Sequence, residues 1–268
     1  MINQTYLDWE LIIVDNNSND NTFEVLNELV DSRIKIIRVF NGGIIAIGRN
    51  AGISIARGKW IAFLDSDDWW EKNKLEVCFN NISNRVDCIY HDVKIVRQHV
   101  DNGVSKLIKS RSLAIPVFQD LIVNGNPIVT SSVVVRADVI KLVAGMSEER
   151  RMIGGEDYHT WLKISQTTEG FKCIPIALGY YYVHELNVSK RNPAGIYGAV
   201  IRSFYPILSC RLKRISKATY RYYCVRYEGK KRSWWLKQNL LVYSTLHGNK
   251  AIRLRAFIYM FLLIRCKF

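Results

Sequence analysis

The sequence predicts an α/β fold built on a parallel sheet, followed by a basic helical extension. Three observations carry this. Short β-rich runs alternate with helical patterns through the first part of the chain. Two of those runs end in an acid, Asp15 and Asp65, and open parallel sheets bind ligands at the carboxyl ends of their strands. After Asn192 the pattern turns helical and strongly basic. The expected organisation is a sheet domain over residues 1–192 and a helical region over residues 193–268.

Each element has its own signal. Glu10 to Asp15 is a short apolar run ending in an acid, and the polar stretch Asn16 to Asn21 has turn chemistry. Thr22 to Val30 carries apolar residues at helical spacing, with Asp20 or Asn21 as N-cap. Ile34 to Phe40 is a second strand, broken by Asn41-Gly42-Gly43. Ile44 to Ala56 predicts a helix with Gly48 and Gly52 on one face, where a close neighbour requires small residues. Trp60 to Leu64 is apolar throughout, as a central parallel strand would be. A helix to about Asn84 follows, then β-like Val86 to Val96 and a hairpin-type turn at Asp101-Asn102-Gly103. Val129 to Val135 is β-rich, and Arg136 to Val143 is a short helix closed by Gly145. Gly154-Gly155 lead into a helix from Asp157 to Gln166, and two β-like runs follow, Phe171 to Ile174 and Ile176 to Val183.

Composition narrows the class. The chain is 49% hydrophobic and 23% charged, which describes a folded protein rather than a disordered one. Six cysteines show neither CxxC pairs nor zinc-like Cys/His spacing, so a reducing cytoplasm is expected. Met1 to Glu10 lacks a signal-peptide core. The longest apolar run, Ala256 to Ile264, is far short of the roughly 20 residues that cross a bilayer.

Four groups of residues could carry chemistry. Asp65-Ser66-Asp67-Asp68 clusters carboxylates at a strand end, where they repel unless a cation neutralises them. Hard ions such as Mg²⁺ or Mn²⁺ prefer such ligands and bridge to phosphates; a solvated acidic turn capping the next helix is the alternative. Asn41-Gly42-Gly43 with Gly48-Arg49-Asn50-Ala51-Gly52 offers close backbone approach and a phosphate-clamping Arg, or simply a helix packed closely on the sheet. Glu156-Asp157 opens a helix, where the dipole keeps a general base ionised, although an acidic first turn has the same pattern. His184 is either a phosphate or metal contact or a structural hydrogen-bonder.

Taken in order from about Asn3 to Asn192, these motifs resemble glycosyltransferase family 2, a large inverting group. Ile12 to Thr22 is similar to its nucleotide-binding strand and loop, and Gly43 to Gly52 to its glycine and Arg-Asn segment. Phe63 to Asp68 is similar to its DxD-type motif, Gly155-Glu156-Asp157 with Trp161 to its general-base motif, and Tyr180 to His184 to the strand closing its donor site. The resemblance implies the GT-A fold, a Rossmann-like mixed sheet flanked by helices. It implies a nucleotide-sugar donor, a lipid-linked or polysaccharide acceptor, and Mn²⁺ or Mg²⁺. It also implies roles. Asp15 contacts the nucleobase, Arg49 lies near the diphosphate, and Asp65 faces the ribose or metal. Asp67 ligates the metal, Glu156 binds the acceptor, Asp157 is the base, and His184 closes the donor site. Two departures follow from the same comparison. Asn16 and Asn17 stand where the family has Asp-Gly, so a left-handed Asn is expected there. A first central strand is expected upstream of Met1; the alternative is a truncated, inactive remnant that binds only a membrane or a partner.

Charge is unevenly spread. Lys190 to Phe268 holds 18 Lys/Arg against one acid, Glu228, while the preceding residues are slightly negative. With interleaved aromatics such as Tyr220, Tyr222, Tyr223, Tyr227, Trp234 and Trp235, this region suits an anionic membrane surface better than nucleic acid. A helical bundle with a solvated basic face is the plainer alternative. The expected location is cytoplasmic, peripheral on the inner face of the cell membrane.

Overall fold

The computed structural model describes residues 1–97, 104–184, 192–228 and 233–265. It divides into two compact units, Met1–Val117 with Pro127–Asn187, and Phe118–Asn126 with Val188–Phe268.

The first unit opens with β1 (Leu11–Asp15), α1 (Thr22–Asn27) and β2 (Ile34–Arg38). β1 and β2 pair in parallel, as strands joined through a helix do. Asp20 accepts the Thr22 N–H at 3.1 Å at the start of α1. α1 stops short of the predicted Val30 because it buries none of its residues, so packing supports no further turn. α2 (Ile45–Ile55) lies on β1. A Cβ on Gly48 or Gly52 would stand 3.7 or 3.6 Å from Val14, in ordinary contact, so only a side chain longer than alanine's would press the helix off the strand.

A second sheet holds β3 (Trp60–Ala62), β7 (Val134–Arg136), β5 (Cys88–Arg97), β8 (Phe171–Val183) and β4 (Trp69–Trp70) in that order, with β6 (Val104–Ile108) on β5. Only β5 and β8 pair in parallel; the other pairs are antiparallel. The sheet is therefore mixed, as the family resemblance implied, and not the parallel sheet that alternation alone predicted. The two β-like runs around Pro175 form one strand, with a register shift opposite His91 to Val93. Pro175 has no N–H for the ladder, which is why the run reads as two in sequence. The turn expected at residues 101–103 lies outside the described residues.

Trp60 to Leu64 departs from expectation. β3 pairs antiparallel with β7 on one side, and among the described residues no strand covers its other edge. That edge and the edge of β1 flank a cavity of about 1620 Å³, lined among others by Ile12, Val14, Trp60 and Ala62. Helices α3 (Lys74–Phe79), α5 (Ala137–Leu142) and α6 (Glu156–Ile164) complete the unit. Its core joins Cys78, Val86, Ile89, Val134, Ile174 and Leu178, bringing α3, β5, β7 and β8 together.

The second unit is helical: α4 (Val117–Asn124, from Phe118 on), α7 (Pro193–Phe204), α8 (Cys210–Glu228), α9 (Trp234–His247) and α10 (Lys250–Arg265). Local chemistry starts two of them. Asn192 caps α7 by accepting the Gly195 N–H at 2.9 Å beside Pro193, and Ser233 caps α9. Tyr222, Val225, Leu241, Ile252 and Ala256 form the core of α8, α9 and α10. The Ser244 hydroxyl, buried, donates to the Ala218 carbonyl at 2.9 Å and ties α9 to α8.

Candidate active site

The acidic loop leaves β3 at Phe63 and Leu64 and is held on three sides. Ser131, in the 3₁₀ turn Thr130–Ser132, accepts the Asp65 N–H at 3.1 Å and donates to Asp68 Oδ2 at 2.5 Å. The Tyr182 N–H donates to Asp68 Oδ1 at 2.9 Å. The Trp70 indole donates to the Ser131 carbonyl at 2.7 Å. Asp68 is thus a buried bolt between the loop, the 3₁₀ turn and β8. Burial pushes its carboxyl up to about 6, and Asp65 and Asp67 add to the rise against the two hydrogen bonds.

Asp67 pairs with His184. Its Oδ2 lies 3.0 Å from His184 Nε2, and both side chains keep an open face. The chain pairs these residues because β4 and β8 are neighbours, with Trp69 opposite Tyr180. The rings of Trp69 and Tyr180 stack at 5.1 Å, and Tyr182 lies 5.6 Å from the His184 ring. Oxygen and imidazole donors suit Mn²⁺ or Mg²⁺, and three carboxylates on one short loop favour a nearby cation. Among the described residues no third His, Cys, Asp or Glu joins them as a ready-made cage. The donor set fits an ion completed by phosphate oxygens and water, the usual arrangement for Mg²⁺.

Asp65 and Glu156 meet through Arg49. The guanidinium lies 2.6 Å from Asp65 Oδ1 and 2.7 Å from Glu156 Oε1. Burial works against its charge, but Asp65 and Glu156 outweigh that and hold it above its usual value. Glu156 is 4% exposed and also accepts the Gly154 N–H at 2.6 Å. Gly154 has φ +84°, a conformation that glycine adopts without strain, and it sets up the first turn of α6. Asn50, one position on, accepts the Met146 N–H at 2.9 Å and donates to the Met146 carbonyl at 2.8 Å, fixing the loop before α6 onto α2.

Asp157 follows in the first turn of α6, and Thr130 Oγ1 donates to its Oδ2 at 3.3 Å. Burial first, and the neighbouring Glu156 carboxylate second, raise its pKa above the usual carboxylate range. Trp161, fully buried one turn on, packs on Phe63 with ring centroids 6.3 Å apart. The base-motif helix and the acidic loop therefore share one apolar contact as well as one ionic one.

Asp15 closes its own loop. It accepts from the Ser18 hydroxyl at 2.5 Å and from Arg38 Nε at 2.9 Å. The Ser18 hydrogen bond, then Arg38, holds its pKa below the usual value despite burial. Asn17 has φ +49°, so the left-handed Asn expected in place of glycine is present.

The structure thus brings Arg49, Asp65, Glu156 and Asp157 into one connected cluster, joined to Asp67 and His184 through the loop and Ser131. Asp15 stands apart, tied to Ser18 and Arg38. Sequence reasoning missed Thr130 and Ser131. Their signal was there: Thr-Ser-Ser interrupts an apolar run from Ile128 to Val135, and polar residues inside a buried strand need a reason.

A mixed sheet with acids gathered at strand ends beside a helix N-terminus defines the GT-A class of nucleotide-sugar transferase folds. Solved structures agree. The chain superposes on Staphylococcus aureus TarS residues 1–349 in complex with UDP with a TM-score of 0.61, at 18% identity, covering 93% of this chain and 75% of that one. The mannosyltransferase PcManGT from Pyrobaculum calidifontis, solved with GDP-Man and Mn²⁺, gives a TM-score of 0.57 at 14% identity, over 98% and 78% of the chains. The glycosyl transferase family 2 model matches residues 1–126. The Escherichia coli UDP-Glc:alpha-D-GlcNAc-diphosphoundecaprenol beta-1,3-glucosyltransferase WfaP is 31% identical over 195 residues, covering 71% of this chain and 72% of the relative. The chain belongs to glycosyltransferase family 2. WfgD from the same species, a glucosyltransferase of the same description, is 41% identical over 101 residues, which span 37% of this chain and 40% of WfgD.

Proposed function

We propose that this chain transfers a sugar from a nucleotide-diphosphate donor to a hydroxyl of a lipid-linked or polysaccharide acceptor, with inversion, in cell-surface polysaccharide synthesis such as O-antigen, capsule or exopolysaccharide. The observation that carries this reading is the chain of contacts Glu156–Arg49–Asp65, which links the base-motif helix to the acidic loop. The relatives add chemistry: WfaP and WfgD are described as acting from UDP-Glc on a diphosphoundecaprenol acceptor, and the solved neighbours hold UDP or GDP-Man.

In this reading Asp157 takes the acceptor proton as the acceptor oxygen attacks the anomeric carbon. The bond from that carbon to the donor diphosphate breaks on the opposite face, and configuration inverts. A raised pKa suits Asp157 to the task, because a base works best with a pKa near the operating pH. Glu156 orients the acceptor, Arg49 and Asp65 line the diphosphate and ribose, and Asp15 shapes the loop facing the nucleobase. Asp67 and His184 would hold Mn²⁺ or Mg²⁺, which supplies charge neutralisation at the departing diphosphate. The basic second unit is proposed to keep the enzyme on the cytoplasmic face of the membrane, where lipid-linked acceptors reside.

The test is nucleotide release from UDP- and GDP-sugars with Mn²⁺ present. Asp157→Asn is expected to lower turnover by about 10²–10⁴-fold while donor-dependent thermal stabilisation stays. Asp67→Ala is expected to lose both. Parent-like rates in both variants would show that the roles are wrong.

A further inference from the structure

We propose that the outward face of α10 is a docking surface for an anionic lipid bilayer. This deepens the membrane-facing reading of the basic region and assigns it to particular residues.

α10 is apolar on two opposite sides. Ile252 and Ala256, one turn apart, are buried in the bundle core with Tyr259 and Met260 packed beside them. Leu254 and Ile258 each stand two residues later, about 200° round the helix, and so point away from that core. They are 60% and 49% exposed. α9 repeats the pattern: Leu241 is buried, while Val242 and Leu246 are 45% and 63% exposed. A helix apolar on both sides needs a partner on each, and among the described residues α8 and α9 supply only one.

Charge identifies the second partner. Arg253 and Arg255 flank Leu254 and are exposed, on either margin of the outward stripe. Arg211 and Arg214 of α8, also exposed, join Leu246 and His247 around a small surface pocket. The whole region from Lys190 onward has one acidic residue to oppose its 18 basic ones. An apolar stripe with arginines on its margins matches the boundary between acyl chains and anionic headgroups.

Two other occupants fit less well. Among the described residues no helix is long and apolar enough to cross a membrane, so the stripe lies on the surface rather than through it. Nucleic acid would need several displayed aromatic faces, and among the described tyrosines of this unit only Tyr227, 56% exposed, offers one. Arg221 sits over the Tyr243 ring at 3.9 Å, and Tyr197 packs edge-on against Tyr223 at 5.2 Å.

The experiment is vesicle co-sedimentation of the full chain with phosphatidylglycerol-containing and pure phosphatidylcholine vesicles. It needs no sugar transfer, so its failure leaves the catalytic reading untouched. The chain is expected to bind the anionic vesicles preferentially. Arg253→Gln with Arg255→Gln should weaken that binding about thirtyfold, at roughly a tenth of the affinity for each 1.4 kcal/mol. Leu254→Glu with Ile258→Glu should abolish it while the circular dichroism spectrum is unchanged. Parent-like binding by the Glu variant would overturn the proposal. So would equal binding to both vesicle types, binding only to single-stranded nucleic acid, or self-association that the Glu variant removes without any vesicle binding.

Discussion

Arg49 is the residue on which the site's electrostatics depend most, and replacing it gives a measurable result. Arg49→Met removes the cation between Asp65 and Glu156 but keeps most of the side-chain volume. The two lost ion pairs are not equal. The Asp65 side chain is 33% exposed, so water recovers most of that loss and the pair contributes at most about 1 kcal/mol. The Glu156 side chain is 5% exposed and keeps only the Gly154 N–H, so it becomes a buried carboxylate without a countercharge. Removing one partner of a buried pair costs about 3–5 kcal/mol. The sum, about 4 kcal/mol, is a large share of a typical margin of about 5–15 kcal/mol. At about 2–4 °C per kcal/mol, the thermal midpoint falls by roughly 8–16 °C. The assay is thermal unfolding followed by circular dichroism. The control is Arg49→Met with Glu156→Gln, which removes the stranded charge and is expected to recover more than half the loss. A midpoint drop under about 3 °C, or no recovery in the double variant, would refute the argument.

Three further outcomes follow. Asp157 has a folded pKa above its unfolded value, so the protonated form is favoured by folding and stability falls as pH rises through the folded pKa; Asp157→Asn is expected to flatten that fall in thermal scans from pH 4 upward, whereas turnover in the parent climbs over the same interval as the base ionises. Lys74 is fully buried with no hydrogen-bond partner for Nζ among the described residues, 3.6 Å above the Trp70 ring, and burial lowers its pKa from 10.5 to about 8. Lys74→Met is expected to stabilise the unit by about 2 kcal/mol at pH 7, the desolvation penalty less the cation–π attraction, with the gain shrinking between pH 8 and 10.5 in urea titrations. Asn17→Val places a β-branched residue at φ +49° and is expected to cost about 1–2 kcal/mol, measured the same way.

The fold was legible where side-chain period and backbone need coincide. β1 and α2 could be read because the apolar run ends in an acid and because Gly48 and Gly52 fall one turn apart, and the structure shows both glycines against Val14. The antiparallel pairing of β3 was not legible. Trp60 to Ala62 is apolar throughout whichever direction its neighbour runs, so composition reports burial and not orientation. α1 was overcalled because apolar spacing states what a helix could bury, not whether anything is there to receive it. At the site, the acids were legible one motif at a time. Their mutual distances were not, since Arg49 and Glu156 are 107 residues apart in sequence.

Those distances change what the motifs mean together. The base-motif helix and the acidic loop meet at three points: Arg49 between Glu156 and Asp65, Trp161 on Phe63, and the 3₁₀ turn whose Thr130 reaches Asp157 while Ser131 reaches Asp65 and Asp68. Two of these contacts are polar and come from separate elements, so neither element alone sets the carboxylates' positions. A charge change at Asp65 reaches Glu156 through one guanidinium, and Glu156, second to burial, raises the pKa of Asp157. The proton affinity of the proposed base is therefore coupled to the charge at the proposed donor side. Neutralising the acidic loop frees Arg49's positive charge to act on Glu156 and Asp157. That favours the ionised base when the donor side is filled, the state in which a base is needed.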